Sequence, residues 1–122
     1  MSQAASQAAA FYTQSVENDA VWTVRDEGGY PAPENREGRR SQPFWSSRSR
    51  AERIIENVPA YDGFEPEEIA LSTFLDEWLP ELESDGLLIG LNWSGERATG
   101  YDLEPNAVKE AVEEAARLAK RS

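Results

Sequence analysis

Apolar positions along the chain change period several times, and each change marks an element. Ala5, Ala8, Ala9, Tyr12 and Val16 recur at helical spacing between Ala4 and Val16, with Phe11 beside the stripe, which predicts a first helix. Asn18-Asp19 breaks it, and the β-branched and aromatic run Val21-Trp22-Thr23-Val24 predicts a strand ending at Asp26-Glu27-Gly28-Gly29. From Tyr30 to Gln42 no apolar period survives among Pro31, Pro33, Asn35, Gly38 and three arginines, so a long mobile loop is expected over residues 26–42. Pro43-Phe44-Trp45 resumes extended structure, and the economical partner across the loop is an antiparallel Val21–Val24.

Ser47 or Ser49 then caps a second helix. Ser49-x-x-Glu52 has capping-box spacing, while a start at Ser47 leaves Arg48 and Arg50 in the first turn. Ala51, Ile54, Ile55 and Val58 form its inner face and Pro59 ends it. After the Tyr61-Asp62-Gly63-Phe64 turn, Ile69-Ala70-Leu71 reads as a brief strand before Ser72 caps a third helix. Leu71, Phe74, Leu75, Trp78, Leu79 and Leu82 give it the clearest helical stripe in the chain, although Pro80 must kink or end it. Asp85-Gly86 turns into a buried central strand, with Leu87, Ile89, Leu91 and Trp93 on one face and Leu88, Gly90 and Asn92 on the other. Residues 94–101 read as a loop with Gly95 and Gly100. Pro105 opens a last helix with Val108, Val112 and Ala115 inward. The expected fold class is α+β: a small antiparallel or mixed sheet of three to four strands with about four helices, in a single domain over residues 1–122 with its core over about 4–119.

Composition sharpens this mainly by exclusion. The 122 residues carry 23 Asp and Glu against 12 Lys and Arg, a net charge of −11 that repels phosphate backbones and anionic membranes. Neither nucleic acid nor a membrane is therefore an expected partner. Zero histidine and zero cysteine remove Ser-His-Asp triads, thiol nucleophiles, disulfides and His- or Cys-ligated zinc. Carboxylate pairs, carboxylate-bound magnesium, and lysine or tyrosine chemistry remain, and no metal or cofactor site is read from the chain. Met1-Ser2-Gln3-Ala4-Ala5-Ser6-Gln7 has neither a basic start nor a continuous apolar run, so a signal peptide is not expected and the expected location is cytoplasmic.

Phe11-Tyr12, Val21-Trp22-Thr23 and Pro43-Phe44-Trp45-Ser46-Ser47-Arg48 with Ala51-Glu52 follow one another in an order that continues through Gly63-Phe64-Glu65-Pro66-Glu67-Glu68-Ile69. Phe74, Trp78-Leu79-Pro80, Leu82 and Asp85-Gly86-Leu87-Leu88 complete it. This series, over roughly residues 11–93, resembles the bacterial family catalogued as domain of unknown function 2750. The resemblance implies a small α+β domain and supplies no catalytic residue. Pro43–Ala51 and Gly90-Leu91-Asn92-Trp93 are also faintly similar to the N-terminal module of enhanced-serine-sensitivity proteins.

Six arginines and two glutamates between residues 36 and 53 give that window a local charge of +4 in a chain whose remainder carries −15. Arginines in the first turn of a helix oppose its dipole, so an acidic group is expected near them. Ser46, Ser47, Arg48, Arg50 and Arg53 form a candidate site for a small anion or phosphometabolite. The alternative is internal pairing, with Arg48 and Glu52 as i, i+4 neighbours. Asp76, Glu77 and Glu81 lie off the apolar stripe of the third helix, as a solvated face or a surface for a basic protein partner. The reading is a non-catalytic cytoplasmic binding or regulatory domain that meets a protein partner through its acidic surface. Anion binding at the arginines is the alternative, and a carboxylate-dependent hydrolase the third.

Overall fold

Side chains on a strand alternate faces, so strands apolar on both faces need cover on both. The computed structural model, which describes residues 2–95 and 97–121, shows that arrangement. Helix α1 (Gln3–Asn18) starts at Ser2, whose Oγ accepts the Ala5 N–H at 3.1 Å, and stops at Asp19 in the left-handed region (φ 52°). Strand β1 (Ala20–Arg25), strand β2 (Ser41–Phe44), helix α2 (Arg48–Asn57), a 3-10 turn (Pro59–Tyr61) and strand β3 (Glu65–Ala70) follow. Residues 71–84 are helical throughout and form α3. Strand β4 (Leu88–Ser94), strand β5 (Thr99–Leu103) and helix α4 (Pro105–Lys120) complete the chain.

The fold is α+β, with four helices and two small sheets among the described residues. β1 pairs antiparallel with β3, from Ala20 opposite Ala70 to Arg25 opposite Glu65. The other sheet has the order β2-β4-β5, β2 parallel and β5 antiparallel to β4. The expected pairing of Val21–Val24 with Phe44-Trp45 survives at a single point, where Trp22 and Trp45 exchange both backbone hydrogen bonds at 2.7 Å. Pro43 has no N–H for a longer ladder, and Thr23 Oγ1 donates instead to the Pro43 carbonyl at 2.9 Å. β5, expected as part of a loop, is hidden in sequence by Gly95 and Gly100.

Two cores result. Phe11, Val21, Phe44, Phe74, Ile89, Leu91 and Val108 fill one face of the sheets, under α1, α3 and α4. Val24, Trp45, Trp93 and Tyr61 fill the other, against Ala51 and Ile54 of α2. α3 runs past Pro80 rather than ending there. The Leu79 N–H bonds to the Phe74 carbonyl five residues back, so the turn Phe74–Trp78 is a π-turn, widened just before the residue that cannot donate.

The 26–42 segment is pinned to the body rather than free. Asn35 Oδ1 accepts the N–H groups of Glu37 and Arg39, and Arg39 reaches Glu104 at 3.2 Å and the Gly86 carbonyl at 3.3 Å. Tyr30 donates to Glu67 at 2.6 Å, and its ring meets Trp78 edge-on. Among the described residues no helix is long and apolar enough to cross a membrane.

Candidate functional site

The junction between β2 and α2 is built around a fully buried serine. The Ser46 N–H donates to Asn92 Oδ1 at 2.9 Å, its hydroxyl donates to Gln14 Oε1 at 2.8 Å, and its carbonyl accepts from Asn18 Nδ2 at 2.8 Å. Asn92 returns Nδ2 to Ser46 Oγ at 3.0 Å and to the Gln7 carbonyl at 3.1 Å. It reaches them because β4 bulges between Leu91 and Ser94, with Asn92 at φ 49°, a left-handed conformation that asparagine tolerates better than most residues.

The bulge also redirects Trp93. Strict alternation predicts Trp93 beside Ile89 and Leu91, but it lies in the opposite core, with its indole flat against Gly90. A Cβ at Gly90 would stand 2.3 Å from Trp93 Cε2. The close approach that Gly90 permits is therefore made by its own strand's tryptophan. Trp45 Nε1 donates to the Trp93 carbonyl at 2.9 Å and Trp93 Nε1 to Asp102 Oδ1 at 3.0 Å, so both buried indoles are held by hydrogen bonds.

The arginines that follow meet three different environments. Ser47, not Ser49, is the N-cap: its backbone is extended and its Oγ accepts the Arg50 N–H at 3.3 Å. Arg48 turns to solvent and pairs with Glu52 at 3.2 Å. Arg50 turns toward α1, where Nη1 donates to Gln7 Oε1 at 2.6 Å and Nε to Gln14 Oε1 at 3.1 Å. Both acceptors are neutral amides. Burial, and secondarily the Arg53 charge, lower the Arg50 guanidinium from its ordinary pKa. Among the described residues neither Arg50 nor Arg53 has a carboxylate in ion-pair range. Together with Gln7, Asn57, Trp93 and Ser94 they line a cavity of about 400 Å³ whose wall includes no acidic residue among those described.

This strand-to-helix junction lies inside a match of wider extent. The family model described as "Protein of unknown function (DUF2750)" matches residues 8–112. The chain belongs to the DUF2750 family. The match runs past the segment that carried the resemblance and takes in β5 and the first half of α4. No curated protein matches the chain. Among solved structures, Tic22 from Anabaena, titled with protein transport, is similar at 14% identity and a TM-score of 0.39. That likeness covers 66% of this chain and 44% of that one, so the DUF2750 chain spans less than half of the other's length. None of these matches shows the enhanced-serine-sensitivity likeness.

Of the five residues singled out at the DUF2750 junction, the fold brings Arg50 and Arg53 to one cavity. Ser46 and Ser47 are engaged in building the turn, and Arg48 is paired apart from them. Gln7, Gln14 and Asn57 carry no signal in the sequence as site residues, although Gln7 and Gln14 stand seven residues apart on one face of α1, as two turns of helix require. Asp76, Glu77 and Glu81 are exposed on α3, with no ion pair to a described residue. Among the described residues no group of three or more acidic side chains is placed to hold a metal ion.

Proposed function

We propose that this DUF2750 chain is a non-catalytic cytoplasmic binding domain whose cavity beside α2 takes a small carboxylate or phosphate-bearing metabolite. One observation carries the reading: Arg50 is held in place by two neutral amide carbonyls, beside Arg53, with no described carboxylate to balance either charge. An anion there would offset both influences that depress Arg50, burial and like charge, and would gain charge-assisted hydrogen bonds. The lack of histidine and cysteine favours binding over turnover.

Thermal-shift measurements with phosphate, sulfate, citrate and 3-phosphoglycerate test it. A ligand at a hundred times its Kd adds about 2.7 kcal/mol of stability. A saturable rise in Tm that Arg50→Ala and Arg53→Ala abolish, while Arg48→Ala retains it, is the expected result. No shift from any of the four anions would overturn the proposal.

A second reading rests on the exposed Asp76, Glu77 and Glu81 of α3, which have no ion pair to a described residue and favour a basic protein partner through charge complementarity. Its signature is salt-sensitive association with a basic protein that is lost when all three become lysine. Association indifferent to that change would remove its support.

A further inference from the structure

Trp93 also lines a second, larger cavity, of about 640 Å³, a size that suits a small-molecule ligand. Its chemistry is the reverse of the first. Asp102 of β5, set opposite Gly90 of β4, presents a half-buried carboxylate there. Its Oδ1 accepts Trp93 Nε1 at 3.0 Å, and its Oδ2 accepts Ser41 Oγ at 2.9 Å and Asn35 Nδ2 at 3.4 Å. All three donors are neutral, and among the described residues no cation stands in ion-pair range of Asp102. A carboxylate offers about four acceptor sites, so a position on Oδ1 is left.

The rest of the lining does not neutralise that charge. Arg36 and Arg97 stand against Glu34, Glu37 and Asp102, a net −1 for the described lining, and Glu34 is also within 3.9 Å of Arg40 outside it. Tyr61, Trp93 and Tyr101 form aromatic walls, Tyr101 with 42% of its surface exposed. Gly100 clears the space in which the indole lies, since a Cβ there would meet Trp93 Cδ1 at 2.9 Å. Aromatic faces attract cations, and a molecule of net charge −11 concentrates cations at its surface.

We propose that this cavity binds an organic primary ammonium ion, with an N–H on Asp102 Oδ1 and the hydrocarbon portion against the aromatic walls. This site shares the Trp93 wall with the arginine cavity but none of its charged residues, and it does not depend on that cavity binding an anion. Calorimetry and thermal shift with phenethylamine, protonated at pH 7, form the test. Saturable binding is expected, with phenylacetate silent and the N,N,N-trimethyl derivative, which has no N–H to give, about tenfold weaker.

Asp102→Asn should lower phenethylamine affinity by about tenfold or more, as loss of a charge-assisted hydrogen bond requires. Because Asp102 also holds Trp93, Ser41 and Asn35, the exposed Tyr101→Ala provides a second variant, expected to weaken binding while the ligand-free Tm stays unchanged. Arg50→Ala should leave phenethylamine binding intact. Phenylacetate binding as tightly as phenethylamine, full affinity in Asp102→Asn, or no saturable signal from phenethylamine would each overturn the proposal.

Discussion

Asn92 connects three elements with one side chain, and its replacement removes more than one contribution to stability. In Asn92→Ala the buried Ser46 N–H loses its acceptor, a cost of about 1–3 kcal/mol, and alanine held at φ 49° adds about 1 kcal/mol more. Urea denaturation should therefore show a loss of about 2–4 kcal/mol, while Asn92→Gly, free of the backbone penalty, should lose about 1 kcal/mol less. A loss of equal size in both would show that the left-handed backbone contributes nothing. Three tyrosines give a pH test. Burial raises Tyr12 and Tyr61 above their ordinary 10.0, and burial followed by Glu67 raises Tyr30. A raised folded-state value contributes stability that is complete below pH 10 and is lost as pH climbs through the folded value. Thermal midpoints should hold up to about pH 10 and fall beyond it, in step with phenolate absorbance. At this scale the sequence is only partly legible. Arg48 could be assigned to Glu52 from spacing alone, whereas the glutamines that hold Arg50 lie 36 and 43 residues away, and no local rule connects them.

Helix α2 shows how unequal neighbouring contacts can be within one element. Ser47→Ala removes the N-cap acceptor and should cost about 1 kcal/mol in chemical denaturation. Arg48→Ala removes an exposed i, i+4 pair and should cost no more than about 0.5 kcal/mol. Equal effects would show that the cap does not anchor the first turn. The helices were legible because each keeps an apolar stripe at helical spacing, and the strand Val21–Val24 because it is aromatic and β-branched. β3 was read only at its end. Glu65, Pro66, Glu67 and Glu68 carry no strand propensity, and pairing with β1 overrides that local preference. β5 was missed for a related reason: a strand holding glycine and aspartate is specified by what it supports, here the Trp93 indole and the Asp102 carboxylate. The faces of β4 were legible as far as Leu91, and an alternating pattern has no means of signalling the bulge that follows.

Across the whole molecule, an excess of eleven acidic charges opposes folding by self-repulsion, while the five ion pairs among the described residues lie at the surface and each contribute only about 0.2–1 kcal/mol. Raising KCl from about 20 to 500 mM shortens the Debye length several-fold, so the Tm should rise at neutral pH. Arg50→Ala should show the same rise, which separates screening from chloride binding at the cavity; a falling Tm would mean that the ion pairs outweigh the repulsion. The junction of the two sheets carries a consequence of a different kind. Among the described residues, the β1-β3 sheet meets the β2-β4-β5 sheet through one exchanged pair of backbone hydrogen bonds, between Trp22 and Trp45, beside the Thr23 hydroxyl on the Pro43 carbonyl, and Trp45 is fully buried. Such a seam sets how much of the protein opens together. Amide exchange at Trp45 should proceed only through global unfolding, while the outer amides of β3 exchange by local fraying. The slow-exchanging core would then extend across both sheets, with the paired tryptophan peptides at its bridge.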